Sequence, residues 1–451
     1  MQVLVKADET ISSILKKFIK KTPSCRPFRF CVQTPVEEGL LLFNLLTNEA
    51  LLLSNEEYNN RYQLDYLKEH WFLVPEEAND KEYADFVKWV LANKQKKNNA
   101  ITSYTIFPTT DCNARCFYCF ELGRSRIPMT NETALKVVEY IKAHCDGKTV
   151  NISWFGGEPL FNASAIDTIC DGLRSESIDF RSSMVSNGYL FNEETVKNAV
   201  EKWKLKRVQI TLDGTEKVYN KTKAYIYKEE NPYHVVLKNI EHLLDASVSI
   251  NVRMNMDLYN AKDLLQLVDE LANRFGGRKG IAVYAHHIFK EGVALTEQYA
   301  DEEWKARDAA MIRLEERIQQ SGLAAKQGLH RVLKLNHCMA DSGHAVTILP
   351  DGNVGLCEHY SESEFAGHID RKGFDTAVVE SWKEMLPEIP ECAECFYYPA
   401  CLRLKKCPNS GGCYPLYRQE QHRKVQRSMI SHYENWKNKI EVEEEENAGN
   451  C

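Results

Sequence analysis

Between residues 101 and 318, short apolar runs alternate with amphipathic stretches six times, and this alternation constrains the fold more than any other feature. The runs 101–107, 149–155, 183–186, 207–212, 248–255 and 281–284 read as strands. Each is followed by a segment with helical spacing of its apolar residues: 130–145, 163–173, 193–203, 233–244, 264–275 and 304–318. In the fourth segment Val236, Ile240 and Leu243 fall on one face. Six such units predict an α/β fold whose parallel sheet curls into a barrel or partial barrel, since parallel neighbours need crossover helices. Chemistry in such sheets gathers at the carboxyl ends of the strands.

The distinctive polar motifs fall at those ends. The first strand runs into Cys112-Asn113-Ala114-Arg115-Cys116-Phe117-Tyr118-Cys119, three thiols at spacing C-x3-C-x2-C. Three cysteines can hold three irons of a cubane cluster and leave the fourth iron open. Thiolate-rich sites favour iron–sulfur clusters or zinc. Structural zinc sites use four ligands, and this stretch offers three thiols and no nearby His, so zinc fits poorly. The second strand ends in Gly156-Gly157-Glu158-Pro159. Its glycines let backbone approach a ligand closely, and Glu158 can accept hydrogen bonds from a charged amine. The third ends in Ser186-Asn187-Gly188 and the fourth in Asp213-Gly214, residues that serve turns as well as ligands. Arg253 stands inside the apolar fifth strand, and a buried Arg needs an anion. His286 and His287 follow the sixth strand and read as core or rim histidines.

Fifteen cysteines in a chain whose first residues, Met1 to Asp8, do not form a signal peptide argue for metal ligation in a reducing, cytoplasmic setting. Cys25, Cys31, Cys145 and Cys170 stand singly and read as buried small apolar residues. Cys338, Cys357, Cys392, Cys395, Cys401, Cys407 and Cys413 are concentrated in the last quarter. The net charge of −7 gives no reason to expect a nucleic-acid partner. No run of about 18 apolar residues predicts a membrane span.

The first hundred residues read as a small α+β unit. Residues 28–33 form an expected strand, 39–46 and 50–53 a hairpin, and helices carry Tyr62 to Trp71 and Tyr83 to Leu91. Lys94 to Asn99 suits a linker. Past Cys413 a helix is expected over 417–436, and then Glu441 to Glu446 as a disordered, solvated tail.

The cysteine loop, with Tyr118 before its last Cys, and Gly-Gly-Glu-Pro at a strand end resemble the radical S-adenosylmethionine (SAM) superfamily. Cys338 and Cys357, with Gly352 between them, and Cys392, Cys395 and Cys401 are similar to the SPASM domain of its peptide maturases. The resemblance implies a partial (β/α)6 radical SAM core over 99–325 and a SPASM domain over 326–436. A winged-helix-like, leader-recognition-like unit would cover 1–98, with an acidic tail over 437–451; a plain structural cap is the alternative for the first unit. It implies SAM and three [4Fe–4S] clusters, one binding SAM at Cys112, Cys116 and Cys119. Tyr118, Gly156, Gly157, Glu158, Ser186, Asn187, Asp213 and Arg253 would contact SAM, Arg253 at its carboxylate.

The two auxiliary clusters would take Cys392, Cys395, Cys401 and Cys413, and Cys338, Cys357 and Cys407; Cys407 and Cys413 can be exchanged. Seven thiols leave one cluster a ligand short, and its open iron would take a substrate thiolate, Glu358 or water. Arg126 to Thr130 and Cys407-Pro408 resemble maturases whose targets carry Cys-x-x-x repeats. The implied partners are a precursor peptide with a leader and a low-potential donor of the flavodoxin or ferredoxin type. The expected reaction is a thioether crosslink. Formylglycine formation, as in anaerobic sulfatase maturases, is one alternative, and a non-catalytic iron–sulfur or zinc peptide-binding protein is another.

Overall fold

The structure, a computed structural model, describes residues 1–18, 24–94, 100–227, 230–289, 297–325, 329, 333, 338–359, 364–401, 403–407, 413 and 416–448. Of the expected linker only Lys94 is among them, and Pro408 also lies outside the described residues.

The N-terminal unit comprises β1 (Gln2–Val5), α1 (Glu9–Leu15), β2 (Cys25–Pro27), β3 (Cys31–Val36), β4 (Gly39–Asn44) and β5 (Glu49–Leu53). It continues through α2 (Asn55–Asn59), α3 (Asp65–Glu69), β6 (Leu73–Pro75) and α4 (Asp80–Lys94). The expected hairpin is β4–β5, paired with Leu42 opposite Leu51. The strand expected from residue 28 begins at Cys31 instead, because residues 28–31 close a turn in which the Cys31 N–H donates to the Phe28 carbonyl at 3.0 Å. The helix expected around Tyr62 to Trp71 is broken into short pieces, and Trp71 takes φ 64°. β1, which the sequence did not suggest, pairs with β5 to give the antiparallel order β1-β5-β4-β3.

The central region repeats strand and helix as β7 (Ser103–Ile106), α5 (Asn131–His144), β8 (Val150–Trp154), α6 (Ala163–Ser175), β9 (Phe180–Ser186) and α7 (Glu193–Glu201). It goes on with β10 (Leu205–Thr211), α8 (Glu216–Lys223), α9 (Pro232–Asp245), β11 (Ser249–Met256), α10 (Ala261–Phe275), β12 (Ile281–His287) and α11 (Asp301–Gln320). β7 to β12 lie side by side in chain order, all parallel, as the alternation requires. Side chains of Thr130, Asn192 and Asn231 accept from the first-turn N–H groups of α5, α7 and α9 and fix where those helices start. One face of the sheet buries Val208, Ile210, Ile250, Val252 and Met254 against Leu264, Leu267, Val268 and Leu271 of α10 and the other helices. The opposite face carries half-exposed Gln209, Thr211, Asn251, Arg253 and Tyr284.

The C-terminal region contains α12 (Met339–Ser342), β13 (Ala345–Ile348), β14 (Asn353–Gly355), β15 (Gly367–His368), α13 (Thr376–Ser381) and α14 (Tyr417–Ala448). β13 pairs in parallel with β7, Thr347 opposite Thr105, and so extends the sheet with β14 and β15 beyond its first strand. α14 braces the whole chain. Its Val425, Met429 and Tyr433 enter the N-terminal core, and Gln426 Nε2 donates to the Gln33 carbonyl of β3 at 3.1 Å. On its other side Arg423 pairs with Asp308 and Arg427 with Glu315, both on α11. The acidic run expected to be a disordered tail continues this helix to Ala448. No helix among the described residues is long and apolar enough to cross a membrane.

Candidate active site

The loop after β7 carries Cys112, Cys116 and Cys119, all half-buried. Burial, then the charges of Glu158, Cys116 and Cys119, push the Cys112 thiol up to about 12, so the three thiols lie in electrostatic reach of one another. The Ala114 N–H donates to Cys112 Sγ at 3.3 Å. Asn113 is fully buried, yet its Nδ2 has no hydrogen-bond partner, which leaves a donor beside the thiols without an acceptor. Three soft thiols, an N–H···S bond and an idle buried donor suit an anionic iron–sulfur cluster. Among the described residues no three His, Cys, Asp or Glu side chains stand close enough to hold a single metal ion.

The end of β8 is moulded to this loop. Gly156 has φ +118°, and a Cβ on it would sit 2.3 Å from the Thr109 carbonyl oxygen. A Cβ on Gly157 would sit 2.2 Å from that of Asp111. Both glycines are therefore required by contact with the cysteine loop's own backbone. The Glu158 carboxylate is fully enclosed. It accepts from Ser186 Oγ at 2.9 Å, the Asn187 N–H at 2.8 Å and the Leu160 N–H at 3.3 Å. Burial nonetheless pushes its pKa up from 4.5 to about 7. Glu158 thus ties the end of β8 to the end of β9, and its oxygens are committed inside the protein. Asn187 also reaches the loop, donating to Asn113 Oδ1 at 2.6 Å and toward Cys112 Sγ at 3.8 Å.

Asp213, at the end of β10, is likewise fully buried. Its Oδ2 lies 3.0 Å from Lys223 Nζ and accepts from Tyr118 OH, and Lys223 Nζ donates to Tyr118 OH at 3.0 Å. Lys223, at the end of α8, is a site residue that the sequence did not reveal. Arg253 on β11 stands between Thr211 and Tyr284 in register. Among the described residues its side chain donates from Nε to Asn255 Oδ1 at 2.8 Å, which leaves the end of its fork open to an anion. His286 and His287 on β12 are both pushed down to about 4, chiefly by burial, and are neutral rim groups.

The seven C-terminal cysteines fall into two groups by charge contact. Burial first, then Glu358, Cys407 and Cys338, raise the Cys357 thiol, and Cys338 feels Cys407. Cys401 is pushed up to about 11 by burial and by Cys395, Cys413 and Cys392. The first group lies toward the barrel loop, where the His359 ring meets Phe120 at 4.5 Å in a tilted contact. The second packs against the N-terminal core, which takes in Tyr398. Cys357 Sγ points to Glu358 Oε2 at 3.9 Å. Of the cysteines read as structural, Cys145 and Cys170 are buried, while Cys25 and Cys31 are only half-buried at the sheet of the first unit.

Residues 106–271 match the Radical SAM superfamily. The chain is 26% identical over 220 residues to the radical SAM cyclopropyl synthase TigE of Paramaledivibacter caminithermalis, covering 41% of this chain and 45% of that one. It is 32% identical over 120 residues to a probable GTP 3′,8-cyclase of Archaeoglobus fulgidus, 27% of this chain and 38% of that one. The sporulation killing factor maturation protein SkfB of Bacillus subtilis is 23% identical over 219 residues, 48% of each chain. The chain therefore spans less than half the length of each of these curated relatives. Among solved structures, native anSMEcpe with bound AdoMet superposes with a TM-score of 0.56 at 17% identity, over 75% of this chain and 100% of that one. Streptococcus suis SuiB bound to precursor peptide SuiA gives 0.51 at 13% identity, over 87% and 96%. These two likenesses establish the shared fold.

Proposed function

We propose that this chain, whose residues 106–271 are a radical SAM domain, joins a cysteine sulfur to a carbon of a ribosomally made peptide. Cys112, Cys116 and Cys119 would hold the SAM-binding cluster. Tyr118, the 156–157 backbone, Ser186, Asn187 and Arg253 would line the SAM pocket, with Arg253 offering its open fork to the methionine carboxylate. Glu158 and Asp213 frame that pocket from within. When bound, the cofactors supply a 5′-deoxyadenosyl radical that takes one hydrogen atom from a peptide carbon.

The observation that carries the thioether reading is the division of the seven C-terminal thiols: Cys338 and Cys357 pack on the small core of Ala340 and Trp382, Cys392 and Cys395 on the N-terminal core, with Cys407 in charge contact with the first pair and Cys401 and Cys413 with the second. Cys392, Cys395, Cys401 and Cys413 are enough for a closed cluster. Cys338, Cys357 and Cys407 would leave the other cluster one ligand short, and that open position would hold a substrate thiolate. A coordinated thiol is deprotonated, and Glu358 beside Cys357 is placed to take its proton. The balance is one C–H and one S–H bond broken and one C–S bond formed. One hydrogen would leave with 5′-deoxyadenosine, Glu358 would take the thiol proton, and an auxiliary cluster would be the acceptor of the remaining electron. SkfB is named as a maturation protein and SuiB is solved with a precursor peptide, which supports a peptide substrate. The first electron would come from a flavodoxin- or ferredoxin-type donor.

The test is incubation of the reconstituted protein with SAM, reductant and a cysteine-bearing precursor. The expected product is two hydrogens lighter per crosslink and has lost one alkylatable thiol for each. A modified product that keeps every thiol would exclude the thioether, and an aldehyde at a cysteine would indicate formylglycine instead.

A further inference from the structure

Lys223 is nearly sealed from solvent, its side chain 4% exposed, at the last position of the short polar helix α8. Its backbone and its side chain both grip the cysteine loop. The Arg115 N–H donates to the Lys223 carbonyl at 2.8 Å, and three residues on, the Ile226 N–H donates to the Asn113 carbonyl at 2.9 Å. Between these two bonds Ala224 takes a left-handed conformation, φ 45°, that turns the chain back along the loop. The ammonium meets Asp213 Oδ2 and Tyr118 OH at 3.0 Å each, and it stands over the Tyr118 ring at 5.6 Å and the Tyr219 ring at 5.9 Å. Asp213 is in turn fixed to β11 by the Asn255 N–H at 3.3 Å.

We propose that Lys223 is the positioning residue of the cysteine loop: through its carbonyl and its ammonium it clamps Asn113 to Tyr118 onto the ends of β10 and β11. The loop is thereby ordered before any cluster arrives. Asp213 is then the lysine's counter-ion, needed because a lone buried ammonium would be too costly. This inference rests on reading Cys112, Cys116 and Cys119 as cluster ligands, and the experiment separates the two: loading of the wild-type loop tests the ligands, and comparison of variants tests Lys223.

Lys223→Met alone strands the Asp213 carboxylate in the interior, so the informative variants are Lys223→Met/Asp213→Asn, which keeps the pair neutral, and Lys223→Arg, which keeps the charge. Hydrogen exchange is followed in the cluster-free full chain. The double variant should exchange at least tenfold faster across residues 113–119 with β8 to β11 unchanged. Lys223→Arg should keep the wild-type exchange of the loop. A double variant with wild-type loop exchange would overturn the proposal. So would one that fails to fold, since the pair would then belong to the barrel core rather than to the loop.

Discussion

The two cysteine-bearing parts of this chain are built on opposite plans. The barrel loop rests on an extensive apolar core and is tied down by Glu158, Asn187, Lys223 and the backbone contacts of Gly156 and Gly157. Among the described residues, the C-terminal block around Cys338 and Cys357 has a small core of Ala340, Leu356, Ala366 and Trp382, with strands of three and two residues at its edge. A region with so little buried apolar surface needs another source of order, and metal–thiolate bonds supply it in small domains. The loop is therefore a preformed seat for the cluster proposed there, whereas the C-terminal block would owe its order to the clusters proposed for it.

The largest effect that can break this contrast comes from withholding iron. In iron-free protein, amide exchange over 338–413 should rise by about a hundredfold or more, while β8 to β11 keep wild-type protection. Equal exchange in both regions would dissolve the distinction. Next in size, Gly157→Ala forces a Cβ to 2.2 Å from the Asp111 carbonyl oxygen. It should cost on the order of 2 kcal/mol in urea unfolding, and a neutral result would mean that the strand end and the loop are not in close contact.

Glu158 sharpens the comparison through pH. Its folded pKa is raised from 4.5 to about 7, mainly by burial. The folded state then holds the proton more tightly than the unfolded chain. Its stabilising contribution is complete below pH 4.5 and is lost as pH rises through about 7. The slope it adds is at most about 1.4 kcal/mol per pH unit. Urea midpoints of wild type and Glu158→Gln between these limits should diverge, with the variant flatter; parallel curves would contradict the assignment. The smallest expected effect belongs to the brace on α14. Arg423 and its partner Asp308 are part-exposed, so Arg423→Ala should cost about 0.2–1 kcal/mol. A loss of several kcal/mol would make α14 a core element rather than a brace.

The six strand–helix units and the cysteine loop were legible because each has a strong local signature: continuous apolar strands, helical stripes, and glycine pairs at strand ends. α8 was not, since Glu216 to Lys223 contains little apolar residue spacing beyond Val218 and Tyr219, and its lysine looks like a surface charge until tertiary contact seals it. Glu158 and Asp213 were legible as site residues by position. Spacing alone does not tell whether a carboxylate turns to the ligand or to its own frame, and both turn to the frame. β1 and β13 are short, and their places are set by the partners β5 and β7 far away in sequence. The acidic run past Ile440 reads as a solvated tail from like-charge repulsion, yet it continues a helix already begun at Tyr417.

We propose that the loop of Cys112, Cys116 and Cys119 holds a cluster that splits SAM. Anaerobically reconstituted protein, given SAM and dithionite and assayed by chromatography, should release 5′-deoxyadenosine, and Cys116→Ala with an intact barrel should release none. Wild-type protein that binds iron and sulfide at this loop but forms no 5′-deoxyadenosine, or a Cys116→Ala variant that forms as much as wild type, would contradict it.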